Sequence, residues 1–261
     1  MEFSAAGSRS LSLLAARGLV KRFGSLLAVD RATIEVAQGS ITGLIGPNGA
    51  GKTTLFNLLS NFLRPDAGEV LFDGRPIHRL DPHQVAHQGL VRTFQVARVL
   101  SRLSVLENML LATQQQTGEK FWNVWLRAGQ ITREERAERD RAMDILHSVG
   151  LAEKAHDYAG CLSGGQRKLL EMGRALMTNP KLILLDEPAA GVNPTLINQI
   201  CDRILNWNRA GMTFLIIEHN MDVVMSLCDR VWVLAEGRNL AVGKPQEIQT
   251  NPQVLEAYLG K

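Results

Sequence analysis

Gly46-Pro47-Asn48-Gly49-Ala50-Gly51-Lys52-Thr53-Thr54 decides how this chain folds. It follows the pattern Gly-x-x-x-x-Gly-Lys-Thr, that of a phosphate-binding loop. The flanks give the pattern its meaning. Ile41-Thr42-Gly43-Leu44-Ile45 reads as a buried strand, and Leu55-Phe56-Asn57-Leu58-Leu59 as a helix. Gly46, Gly49 and Gly51 allow the backbone turns and close approach that a Cβ would block. Successive N–H groups then form a nest for phosphate oxygens, reinforced by the N-terminus of the helix that follows. Lys52 adds a full positive charge, and Thr53 offers a hydroxyl to Mg2+.

The bulk of the chain sets bounds around that loop. Its 261 residues suit one large domain or two small ones, and 45% hydrophobic with 21% charged residues is an ordinary globular composition. No apolar run approaches the roughly 18 residues that read as a membrane span. A net charge of +3 is too weak to argue for nucleic acid. Cys161, Cys201 and Cys228 have no metal-ligand spacing and fit a reducing compartment; Cys161 reads as a small buried apolar residue. Met1 to Arg9 lacks the apolar core of a secretion signal and reads as a disordered leader.

Strands are expected at Leu13 to Phe23, Ala32 to Val36, Glu69 to Phe72 and Val91 to Gln95, with a helix opening at Asp81-Pro82. The helix after the phosphate loop is expected to stop near Arg64 to Gly68. Phe23, beside Gly24, is either a core residue or a flat plate for a nucleobase. From Leu100 to Lys154 strand-like runs give way to helical periodicity. Ser104 to Leu111 is one helix, and Thr132-x-x-Glu135 reads as a capping box before a second. Ala142, Ile145, Leu146 and Val149 share a face of that second helix, which ends at Gly150. Phe121, Trp122, Trp125 and Leu126 form an apolar stripe that either packs within the region or anchors a partner.

Two further stretches carry chemistry. In Cys161-Leu162-Ser163-Gly164-Gly165-Gln166-Arg167, Ser163 is a good N-cap for a helix through Leu169 to Met177, which makes a second anion-binding helix end. Lys181 to Pro188 is an apolar run ending in Asp186 and Glu187, the form of a parallel strand covered on both faces. Ligands bind at the carboxyl ends of such strands, and neighbouring side chains face opposite ways. One carboxylate can therefore serve Mg2+ through water while the other orients an attacking water. Thr213 to His219 repeats the pattern, an apolar strand with a polar tip. A strand at Val231 to Leu234 and a helix at Val254 to Leu259 complete the chain.

In this order and spacing the motifs resemble the ATPase subunit of ATP-binding cassette (ABC) transporters, over nearly the whole chain. Gly46 to Thr53 is similar to the Walker A loop, Gln95 to the Q-loop glutamine, and Leu162 to Gln166 to the family signature. Asp186-Glu187 is similar to the end of Walker B, His219 to the switch histidine, and Phe23 to the adenine-stacking aromatic. Ile45 to Asn48, Arg92 to Gln95, Ala189 to Pro194, Ile217 to Met221 and Ala257 to Gly260 resemble the branched-chain amino acid importer branch. Asn193 stands where many cassettes carry Asp, and Gly164 follows the general signature rather than the branch's frequent Tyr or His.

The resemblance implies an α/β fold: a P-loop cassette with a RecA-like parallel-sheet core, an N-terminal antiparallel β subdomain and an inserted helical subdomain. Residues 11–95 and 170–261 would form the core and 96–169 the helical part with the signature. Two cassettes would face head to tail, each ATP held between one chain's Lys52 loop and the other's Ser163 helix. The ATP-binding set is then Phe23, Gly46, Asn48, Gly49, Ala50, Gly51, Lys52, Thr53, Thr54, Ser163, Gly164, Gly165 and Gln166. Thr53, Gln95 and Asp186 would serve Mg2+, Glu187 would be the base and His219 would contact the γ-phosphate. Implied partners are a second ATPase subunit (this chain or a paralogue), membrane permease subunits and an extracytoplasmic substrate-binding protein, with no nucleic acid. The implied location is peripheral, on the cytoplasmic face of the plasma membrane. The rival readings are a cassette without a transport role, acting as scaffold or repair factor, and a P-loop kinase.

Overall fold

A computed structural model describes residues 12–93, 99–113 and 128–259 of the chain. Two sheets organise it. The first is antiparallel, in the order β2-β1-β4-β5, from β1 (Ser12–Phe23), β2 (Leu26–Ala37), β4 (Ala67–Phe72) and β5 (Arg75–Pro76). The second is six-stranded, in the order β10-β9-β3-β8-β7-β6. Its strands are β3 (Ile41–Ile45), β6 (Leu90–Arg92), β7 (Leu182–Asp186), β8 (Thr213–Ile217), β9 (Arg230–Ala235) and β10 (Arg238–Gly243). All pairs in it are parallel except β9 with β10.

The parallel strands are buried on both faces, and their side chains sort by the two-residue period of a strand. Ile41, Ile45, Ile183, Leu185, Phe214, Ile216, Val231 and Val233 enter one core. Leu44, Leu182, Leu184, Leu215, Ile217, Trp232 and Leu234 enter the other. The first core packs against α3 (Val105–Leu110), α4 (Ala128–Val149), α5 (Gly164–Met177), α6 (Pro194–Arg209) and α7 (Met221–Leu227). The second holds Leu55, Phe56, Leu58 and Leu59 of α1 (Lys52–Leu59) together with the apolar face of the antiparallel sheet. The helix behind the phosphate loop therefore shares its core with both sheets. Short helices α2 (Pro82–His87), α8 (Pro245–Gln249) and α9 (Pro252–Leu259) complete the order.

Several expectations are corrected. α1 ends at Leu59, before the Arg64 to Gly68 turn, because Asn61 takes a left-handed backbone (φ 57°) and its amide bonds the carbonyls of Ile77 and Leu80. α4 already runs at Ala128, so Thr132 lies inside it and its capping-box spacing marks no start. α5 begins at Gly164 with Ser163 as its N-cap and ends at Met177, as expected. Cys161 is exposed, not buried. The strand expected to reach Gln95 ends at Arg92, while β2 begins earlier than expected, at Leu26. Gln95, the Trp122 and Trp125 stripe and the first nine residues lie outside the described residues.

Candidate nucleotide site

β3, β8 and β7 are neighbours, so the phosphate loop, His219 and the Asp186-Glu187 pair all leave the same sheet edge. This is the carboxyl edge of the parallel strands, where such sheets place their ligands.

The loop's glycines are dictated by crowding. A Cβ at Gly46 would lie 2.1 Å from the Leu234 carbonyl oxygen, and one at Gly51 (φ 93°) 2.4 Å from that of Ala28. Gly51 is the N-cap of α1 and brings no side chain to cap it. The first-turn N–H groups are thus left for an outside anion. Lys52 folds back across the opening, and its Nζ donates to the carbonyls of Gly46 (2.8 Å) and Pro47 (2.9 Å). Burial lowers its pKa, and the negative charge of Glu187 opposes that shift. Asn48, Gly49 and Thr53 are exposed at the mouth, Thr54 is half-buried, and Ala50 is buried beneath. The turn between β9 and β10 braces the loop, with Gly237 N donating to the Ala50 carbonyl at 3.0 Å.

Alternation along β7 puts Asp186 on the α1 side, with Leu182 and Leu184. Arg92 meets it there: Nη2 lies 2.8 Å from Asp186 Oδ2, and Nη1 donates to Asn57 and Ser60 of the α1 region. The guanidinium also stacks over Phe56, 5.0 Å from the ring centroid. Both side chains of this pair are largely buried, so deleting one partner should cost about 3–5 kcal/mol. Glu187 leaves the strand direction with a left-handed backbone (φ 48°). Its Oε1 lies 2.9 Å from Nε2 of His219, the distance of a hydrogen bond in which the imidazole donates.

Ser163 stands apart as the cap of α5. Its Oγ accepts from Gln166 N (3.2 Å), and the Gln166 side chain returns a bond to Ser163 N (2.9 Å). With the oxygen accepting, the Ser163 hydroxyl proton is free to be given outward. Ser163 and Gly164 are exposed, and no neighbour lies within 4 Å of where a Gly164 Cβ would sit. Gly165 differs: a Cβ there would displace Leu196 of α6, so packing accounts for the glycine. Phe23, at the end of β1, is 47% exposed, which removes the core-residue reading; the Lys21 ammonium lies over its ring, 5.8 Å from the centroid.

Among the described residues no cluster of three or more His, Cys, Asp or Glu could cage a metal. A hydroxyl and one carboxylate beside a phosphate loop fit Mg2+, which keeps several waters and takes the rest of its oxygens from phosphates. Sequence reading gave no role to Arg92, Lys168 or Glu218. Arg92 and Glu218 stand beside apolar strand residues, whereas Lys168 follows Gln166-Arg167 and reads as one more charge on a helix.

Fold and site together define a P-loop nucleotide triphosphatase of the cassette kind. Residues 29–190 match the ABC transporter family, and residues 238–261 match the branched-chain amino acid ATP-binding cassette transporter family. A probable branched-chain amino acid transport ATP-binding protein, LivG, of Archaeoglobus fulgidus is 42% identical over 250 residues, 96% of each chain. A high-affinity branched-chain amino acid transport ATP-binding protein, LivG, of Salmonella typhimurium is 41% identical over 253 residues, covering 97% of this chain and 99% of its own. Among solved structures, an ABC-transporter ATP-binding cassette in its ADP conformation superposes with a TM-score of 0.83 at 38% identity, covering 96% of this chain and 100% of its own. The chain belongs to the ABC transporter ATPases, in their branched-chain amino acid branch.

Proposed function

We propose that this chain binds Mg-ATP between its own phosphate loop and the Ser163 helix of a second cassette, and that hydrolysis powers import of branched-chain amino acids. The observation that carries the reading is the Glu187–His219 pair, 2.9 Å apart beside the Lys52 loop. Phosphoryl transfer calls for positioning and charge stabilisation more than covalent chemistry. Lys52 would leave its two carbonyls for the phosphate oxygens. Thr53 would hold Mg2+ directly, with Asp186 and Gln95 assisting, and the ion would neutralise charge on the β- and γ-phosphates. Glu187 would accept a proton from the attacking water, with His219 orienting the carboxylate and reaching the γ-phosphate. Phe23 would stack on adenine, Gly164 and Gln166 would border the partner's phosphate, and Gly165 would seat the helix end.

Residues 96–169 would form the helical part that meets the permease. Exposed Leu100, Leu111 and Tyr158 support that placement, as large apolar side chains open to contact. No helix among the described residues is long and apolar enough to cross a membrane. The chain would work peripherally, on the cytoplasmic face, with permease subunits and an extracytoplasmic binding protein. The match at 238–261 supports transport over a scaffold role.

The test is reconstitution of the chain and its co-purifying membrane subunits into vesicles. Leucine, isoleucine or valine uptake that requires ATP on the side of the chain is expected. ATP hydrolysis that no branched-chain amino acid stimulates, with no uptake, would overturn the solute assignment.

A further inference from the structure

We propose that Lys168 and Glu218 are positioning residues for hydrolysis, a cation and a carboxylate that grip the loop 187–190 from two sides and fix Glu187. The proposal rests on the reading of Glu187 as the base.

Both groups are buried, Lys168 to 9% exposure and Glu218 to 3%. Charged residues are seldom so buried unless a partner holds them. Lys168, in the second turn of α5, directs its Nζ to the carbonyls of Glu187 and Ala190, each at 2.8 Å. Glu218, the first residue after β8, accepts from Ala189 N through Oε1 at 2.8 Å. Its Oε2 accepts from His219 N (3.1 Å) and Asn220 N (3.3 Å). Pro188 has no N–H to offer. The turn is thus held through the polar backbone groups of its other three residues, by one cation and one anion.

The grip has work to do. Glu187 carries a positive φ, a conformation L residues seldom adopt and keep only where the surroundings over-determine it. The Lys168 ammonium bonds the carbonyl of that very residue. Glu218 simultaneously fixes the backbone of His219, the side chain that meets Glu187 Oε1. One carboxylate therefore sets both halves of the Glu187–His219 pair. Burial depresses the Lys168 pKa, and the charges of Glu218, Glu171, Glu187 and Asp186 oppose the shift, which keeps the cation among carboxylates rather than bare. Nothing in the contacts of Lys168 or Glu218 reaches the phosphate loop, so they should govern turnover and leave nucleotide affinity alone.

The test uses the full chain with saturating Mg-ATP, reading phosphate release alongside the affinity for a fluorescent ATP analogue. Lys168→Met keeps the aliphatic stem and loses the donors. A displaced base commonly costs on the order of a hundredfold, so kcat should fall at least about tenfold with affinity within about twofold of wild type. Lys168→Arg, which restores donors, should recover at least about threefold of that loss. Glu218→Gln should lower kcat about fivefold, again without loss of affinity. Wild-type kcat in Lys168→Met, or a fall in affinity as large as the fall in kcat, would overturn the proposal. Should Lys168→Met fail to fold, wild-type turnover in Glu218→Gln would overturn it instead. Glu187→Gln separates the two readings. If it is inactive while Lys168→Met turns over normally, only the clamp is wrong. If it turns over normally, the base reading falls and the clamp with it.

Discussion

The chain presents two helix N-termini that the proposed function assigns to phosphate, at α1 and at α5, and they are finished in opposite ways. The α1 end is capped by a glycine, crowded by backbone, closed over by a buried lysine and sealed between two sheets. The α5 end is exposed and already satisfied by its own Ser163–Gln166 capping box. The first has orphan donors and a built-in cation, so it can hold a phosphate chain unaided. The second has spent its serine oxygen on its own helix and keeps a hydroxyl proton to give, so under the proposed function it would add to a site built elsewhere. The difference teaches that a repeated motif type does not imply a repeated task. On the proposed function, one end would capture the nucleotide, and the other would recognise a nucleotide already captured.

Breaking the chemistry between the two ends should have the largest effect. Glu187→Gln is expected to lower turnover by about 10²–10⁴-fold, the range for loss of a positioned base, while ATP still binds and dimers accumulate. Measuring phosphate release and dimer mass together checks this; rapid hydrolysis by the variant would remove Glu187 from the role. Lys52→Ala should weaken ATP binding by the isolated chain by about a hundredfold, since a charge-assisted contact to phosphate is lost. Equilibrium dialysis reads this directly, and unchanged affinity would mean that α1 is not the capturing end.

Ser163→Ala sharpens the contrast. It removes a cap worth about 1 kcal/mol of helix stability, so a small drop in Tm is expected. ATP binding by the monomer should be untouched, and Mg-ATP-driven dimerisation of the Glu187→Gln background should weaken about tenfold. Equal damage to monomer binding would erase the distinction between the two ends. The smallest effect concerns thiols. Cys161 is exposed two residues before Ser163, whereas burial pushes the Cys228 thiol up to about 12, so it stays protonated. The thiolate is the reactive form, so alkylation near pH 8 should label the exposed Cys161 and spare the buried Cys228. Mg-ATP should slow labelling of Cys161, because the proposed dimer would cover the α5 end. Mass spectrometry of the labelled peptides settles both points.

The α1 end, the β7 tip and the β8 tip were legible in sequence because their signals are local: glycine spacing, apolar runs of strand length and a polar residue at the end of each. The partnerships were not. Arg92 and Asp186 are far apart in the chain and meet only because β6 lies beside β7 in register, Leu90 opposite Leu182. Lys168 reads as one charge in an amphipathic helix until α5 is seen against the 187–190 turn. Thr132 misled because Thr-x-x-Glu arises easily in a Glu- and Arg-rich helix and carries no record of where that helix starts. Cys161 misled because a cysteine's usual burial says nothing of its exposed place at the end of a turn of helix just before Ser163.

The division of labour between the two helix ends is tested most directly by a structure of Glu187→Gln with Mg-ATP. The account predicts a two-chain assembly in which each γ-phosphate lies against Lys52 of one chain and the Ser163 hydroxyl of the other. A nucleotide remote from Lys52, or a Ser163 touching the nucleotide of its own chain, would contradict it.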